Sequence, residues 1–123
     1  MSFAAAQYQT ARVQTAGPLA IVISLYEGAL RFLRDAVARQ ARGDLGGRGV
    51  ALSRAHAIVT ELKATLDHDK GGAVAAELDA LYDFTLDRVA RATLENDAGA
   101  VEPAITVLER LLSGWREIAR RGP

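Results

Sequence analysis

Two histidines, a run of aspartates and a cluster of glycines are the residues in this chain whose types could do chemistry. A metal-bearing helical bundle needs inward glutamates and a Glu-x-x-His pair on each of two helices. No Glu-x-x-His occurs in the sequence. His56 falls at the polar margin of a helical segment and His68 in a turn, so both read as surface residues. A haem ligand at His56 has no supporting spacing. There is no cysteine, which excludes disulfides and thiolate chemistry. No Gly-x-Ser-x-Gly elbow is present, and no histidine stands near a suitable serine. Gly46, Gly47 and Gly49 lead into Val50 and not into Lys-Ser/Thr, so they form a hinge and no phosphate cradle. Asp79, Asp83, Asp87 and Arg91 repeat at helical spacing, which fits a solvated face with an Asp87–Arg91 pair better than a cation site. The expectation is a protein that is not an enzyme, with no catalytic residues, no cofactor and no metal.

Charge and hydropathy narrow the class further. Basic and acidic residues number 15 each, giving a formal net charge of zero. Arg31, Arg34, Arg39, Arg42 and Arg48 bias one end towards positive, but without interleaved aromatics this is no nucleic-acid footprint. The apolar run from Leu19 to Leu25 is far shorter than the ~20 residues a membrane span needs. The opening residues lack the basic and apolar regions of a signal peptide. Neither nucleic acid nor membrane insertion is expected, and a cytoplasmic location is.

The elements that must position any site are helices. At 123 residues the chain is one domain with room for a real core. Residues 1–17 read as an N-terminal arm carrying the isolated apolar anchors Phe3, Tyr8 and Val13. Gly17-Pro18 breaks the chain and places proline in the first turn of a helix. The apolar periodicity predicts helices over about 18–42, 50–66, 73–95 and 101–120, within a bundle spanning 18–121. Gly43 to Gly49 and Asp67 to Gly72 read as loops. In the third helix Val74, Leu78, Leu81, Tyr82, Thr85, Val89 and Ala92 form the buried face, while Phe84 points away from it. No period-2 strand pattern occurs. Four helices with short loops predict an all-α, antiparallel up-down bundle, with the arm placed to cap an apolar groove.

The first helix departs from an ordinary amphipathic pattern. Its apolar side chains cover about 200° of circumference, where a surface helix needs little more than ~100°. It is either a central helix packed by its neighbours or a helix whose spare apolar edge takes a partner. A groove receiving an amphipathic helix is one such use, and a homodimer is another.

The residues also carry a resemblance. Tyr8, Val13-Gln14-Thr15-Ala16-Gly17-Pro18 and Leu25-Tyr26-Glu27-Gly28-Ala29-Leu30 resemble the opening of the FliS flagellar export chaperones. The likeness continues through Ala55, Ile58, Glu61-Leu62, Leu66-Asp67, Gly71-Gly72 and Leu81-Tyr82-Asp83-Phe84, and closes with Leu111, Leu112 and Trp115. It covers nearly the whole chain in order. Ser24 stands where that family usually has methionine, Ala20 where it often has lysine, and Ala92-Thr93 where Ala-Asn is usual.

The resemblance implies a cytoplasmic secretion chaperone. Such a protein binds the disordered C-terminal segment of flagellin as helices, prevents premature polymerisation and helps deliver flagellin to a component of the membrane export gate. Apolar burial at about 25 cal/mol per Å² then has to outweigh the cost of ordering that segment. The expected partner-binding residues are Tyr8, Leu19, Ile23, Tyr26 and Leu30, with Leu81 and Tyr82 as second choices that core packing explains nearly as well. A regulator competing for the same surface is left open as a further partner, and a helical homodimeric scaffold and a bundle-type metal protein stay as alternatives.

Overall fold

The computed structural model describes residues 18–122. The expected arm, residues 1–17 with its candidate Tyr8, lies outside them. Four helices follow: α1 over Pro18–Ala41, α2 over Leu45–Ala64, α3 over His68–Leu94 and α4 over Glu102–Arg121, with a 3-10 turn at Ala98–Val101 before the last. There is no strand among the described residues. The helices pack in a ring, α1 on α2, α2 on α3, α3 on α4 and α4 back on α1. Two cross-helix pairs fix the antiparallel register of α1 and α4. Arg116 Nη2 donates to Glu27 Oε2 at 2.7 Å, and Arg34 pairs with Glu109.

The wide apolar arc of α1 is used mainly inside the bundle. Tyr26, Ala29, Leu30, Leu33 and Ala36 are buried, and Val22, Ile23, Leu25, Phe32 and Val37 pack against that core from either side. Leu52, Val59 and Leu62 of α2, Val89 of α3 and Leu108 of α4 complete the interior. A helix with neighbours on two flanks needs apolar residues on both. Gly28 admits one of those neighbours, since a Cβ there would sit 3.3 Å from Ile58 Cδ1 on α2.

Two loop expectations are corrected. Helix α2 begins at Leu45, well ahead of Val50, so Gly46, Gly47 and Gly49 are helical and form no hinge. Asp44 supplies the cap that the glycines lack, its Oδ1 accepting from Gly47 N at 2.9 Å. Arg39 clamps the other oxygen at 2.7 Å. The Gly47 N–H and the Arg39 guanidinium together hold the Asp44 carboxyl below its usual range. The segment His68–Gly71 is likewise helical, capped by Asp67, and the chain breaks only at Gly72 (φ 50°) before the main run of α3.

One end of the bundle is tied by a buried cation. Arg48, only 7% exposed, donates to Gln40 Oε1 at 3.2 Å, to Asn96 O at 3.1 Å and to Asn96 Oδ1 at 3.0 Å. Gln40 Oε1 also accepts from Ala98 N at 2.6 Å. These bonds join the C-terminus of α1, the N-terminus of α2 and the turn that follows α3.

Candidate functional site

The two tyrosines expected at a docking surface meet in the core. The Tyr26 and Tyr82 hydroxyls share a hydrogen bond of 2.6 Å across the bundle, from α1 to α3. Their rings pack edge to face with centroids 6.2 Å apart, and Trp115 of α4 packs against Tyr26 in the same manner at 6.3 Å. Burial pushes the Tyr26 phenol above its usual pKa, and burial with the neighbouring hydroxyl pushes Tyr82 higher still. Neither phenol is a proton donor or acceptor near neutral pH. Together with Trp115 the pair joins three helices, and it leaves no exposed hydroxyl.

The other expected partner residues divide by position. Tyr26 is 0% exposed, and Leu30 and Tyr82 are each 2% exposed, so all three lie beneath the surface. Leu19, Ile23 and Leu81 are half-buried. The Glu27–Arg116 pair sets the first turns of α1 beside the last turns of α4, which places Leu19 and Ile23 at the same end of the bundle as Ile118.

Unpartnered apolar surface lies between α3 and α4. A groove of about 320 Å³ runs there, lined by Val74, Leu78 and Leu81 from α3 and by Leu111, Trp115 and Ile118 from α4. Val74, expected to be buried, is 62% exposed, and Ile118 is 52% exposed. The cause is geometric. Beyond Tyr82, towards its N-terminus, α3 keeps Ala75 in the core while Val74, one residue round the helix, is left uncovered among the described residues. Gly114 lines the same groove, and nothing stands within 4 Å of where its Cβ would be. A glycine in mid-helix beside Leu111, Trp115 and Ile118 is the sequence signal that marked this groove. Glu77 and Arg110 supply a polar rim.

A second groove, of about 430 Å³, lies between α2 and α3, lined by Leu52, His56, Val89 and the exposed Leu94. His56 and His68 are both exposed, and no three metal-ligating side chains converge among the described residues. The aspartate ladder is held by cations. Lys63 of α2 reaches Asp79 at 2.7 Å and Asp83 at 2.8 Å, while Arg91 pairs with Asp87 at 3.1 Å. The positive bias near the end of α1 is largely spent internally, with Arg39 on Asp35 and Asp44. Among the described residues no helix is long and apolar enough to cross a membrane.

The sequence as a whole matches the family described as flagellar protein FliS over residues 1–122. This chain belongs to the FliS family. It is 37% identical over 108 residues to the flagellar secretion chaperone FliS of Salmonella typhimurium, covering 87% of this chain and 80% of that one. It is 38% identical over 101 residues to the flagellar secretion chaperone FliS of Campylobacter jejuni (82% and 79%). It is 30% identical over 117 residues to the flagellar secretion chaperone FliSB of Pseudomonas aeruginosa (92% and 93%). FliS proteins are chaperones and not enzymes, so the features that matter here are apolar grooves and their rims. Of the departures from the usual FliS pattern, Ser24 is exposed and Ala92 is buried in the core.

Proposed function

We propose that this FliS-family chain is a cytosolic flagellar secretion chaperone that takes the C-terminal segment of flagellin as helices. Held in that way, the segment cannot nucleate filament growth, and the loaded chaperone passes its client to a component of the membrane export gate. The observation that carries this reading is the α3/α4 groove, where two large aliphatic side chains, Val74 and Ile118, stand more than half exposed. An amphipathic helix laid there would bury them against its own apolar face. Leu81 lines that groove. Leu19 and Ile23 extend the apolar edge at the same end of the bundle, and Tyr8 of the arm is a candidate cover for it. Tyr26, Leu30 and Tyr82 support the surface from below by fixing α1, α3 and α4 in place.

The test is to mix the purified chain with a peptide of the last few dozen residues of a flagellin from a flagellated relative. A complex of one chain with one peptide, with more helical circular dichroism than the separate components, supports the reading. A complex with no gain in helix contradicts helical docking. A tight homodimer that excludes the peptide favours self-association in its place.

A further inference from the structure

A second cleft lies on the opposite flank of α4, and its chemistry differs from that of the apolar groove. It encloses about 790 Å³ between α1 and α4 and is lined by four arginines, Arg31, Arg34, Arg116 and Arg120, the last of which pairs with Glu117 one turn back on α4. Glu27 and Glu109 are the carboxylates on its walls. Glu27 pairs with Arg116 and Glu109 with Arg34, each pair spanning the cleft from one helix to the other. These two pairs share one antiparallel register, in which Arg31 comes level with Leu112 and Ser113. Arg31 is therefore the central cation, flanked by Arg34 a turn away on α1 and by Arg116 across the cleft. It has no carboxylate partner among the described residues. Its guanidinium rests 5.5 Å from the Phe32 ring, which Arg54 of α2 also approaches at 5.7 Å, so it must swing from the α2 side of α1 to meet a ligand in the cleft. The floor beneath is aliphatic, made by the buried Leu30 and Leu112.

We propose that this cleft docks an acidic helical segment of a partner protein, one with carboxylates at four-residue spacing beside an aliphatic residue. Charge complementarity selects the carboxylates. Arg31 takes one, with the Ser113 hydroxyl level with it, and the flanking arginines take those a turn away. The walls already hold carboxylates in this geometry through Glu27 and Glu109. Those pairs are half exposed, and surface pairs of that kind contribute little to stability, so an incoming carboxylate can displace them at little cost. The Leu30–Leu112 floor receives the aliphatic side chain. A single-stranded nucleic acid fits less well, because its bases need aromatic platforms and none line the cleft. The inference is separate from the client segment assigned to the α3/α4 groove and does not depend on it.

The probe is a fluorescein-labelled peptide of about 16 residues, long enough to hold a helix, with glutamates at every fourth position next to leucines. A second peptide has glutamine in place of each glutamate, and a third probe is labelled oligothymidine. Fluorescence anisotropy at low salt is expected to show binding of the glutamate peptide. That binding weakens at least fivefold in Arg31→Glu and falls away in about 0.5 M salt as the charges are screened. Arg31→Gln should give an intermediate loss, and circular dichroism should show both variants folded. Equal binding of the glutamine peptide, or no change in Arg31→Glu, would overturn the proposal. Binding of oligothymidine in preference to the glutamate peptide would overturn it in favour of a nucleic-acid site.

Discussion

The Tyr26 and Tyr82 hydroxyls, 2.6 Å apart, form a hydrogen bond between α1 and α3 across the bundle. This bond has a pH signature. Both phenols have pKa values raised above the usual value near 10. Below that pH both are neutral whether the chain is folded or not, and the stability they supply is fully present. As pH rises past about 10, phenols in the unfolded chain lose protons that the folded chain keeps, and unfolding becomes easier. Thermal unfolding followed by circular dichroism should show the melting temperature falling above about pH 10. A Tyr26→Phe/Tyr82→Phe double variant should show a shallower fall. At neutral pH either single variant leaves a buried hydroxyl without its partner and should cost about 1–3 kcal/mol, with the double variant costing less than the two singles together.

The glycines of α2 differ in what a methyl group would meet. Gly46 and Gly49 have open space at the Cβ position, whereas at Gly47 a Cβ would stand 2.3 Å from Asp44 Oδ2 and 2.6 Å from Arg39 Nη1. Gly46→Ala and Gly49→Ala should each raise stability by about 0.5–1 kcal/mol, the gain from removing glycine from a helix. Gly47→Ala should lower stability, because the Asp44 cap and its Arg39 clamp are pushed apart. Urea unfolding of the three variants checks both signs.

These glycines also mark where the sequence was legible and where it was not. The four helices, the Pro18 start, Pro103 in the first turn of α4 and most of the core follow from apolar spacing and proline position. The start of α2 does not, because Gly46, Gly47 and Gly49 read as a break. The Asp44 cap and the buried Arg48, whose partner Asn96 lies 48 residues away in the chain, outweigh glycine's poor helix propensity. The expected partner-binding residues and the groove proposed between α3 and α4 coincide only at Leu81. Excess apolar surface does exist, but helical spacing cannot tell a helix covered by two neighbours, as α1 is, from one covered by a partner protein. For the same reason Tyr26→Asp is a poor probe of docking, since it would place a carboxylate in the core.

Asn96 has a positive φ of 53° and receives two bonds from Arg48, a buried guanidinium with no carboxylate partner among the described residues. Asn96→Asp keeps a residue that tolerates this backbone and turns a bond from a charged donor into an ion pair. It should hold or raise the melting temperature. Asn96→Ala loses the side-chain acceptor and strains the backbone, and should cost about 2–3 kcal/mol. Differential scanning calorimetry distinguishes the two.

Trp115 is the only tryptophan and lines the α3/α4 groove. Its emission should shift when a peptide fills that groove. Gly114→Leu puts an aliphatic side chain into the same space without a clash at Cβ. It should preserve the fold while abolishing the shift.

The most direct measurement is titration calorimetry of the C-terminal flagellin segment against Leu81→Asp, Ile118→Asp and, as a control in the α2/α3 groove, Leu94→Ser. Binding at one to one by the unaltered chain, lost in the first two variants and kept in the third, is the predicted result. Binding that survives both aspartates, or that fails only in Leu94→Ser, would contradict the assignment of the client to the groove between α3 and α4.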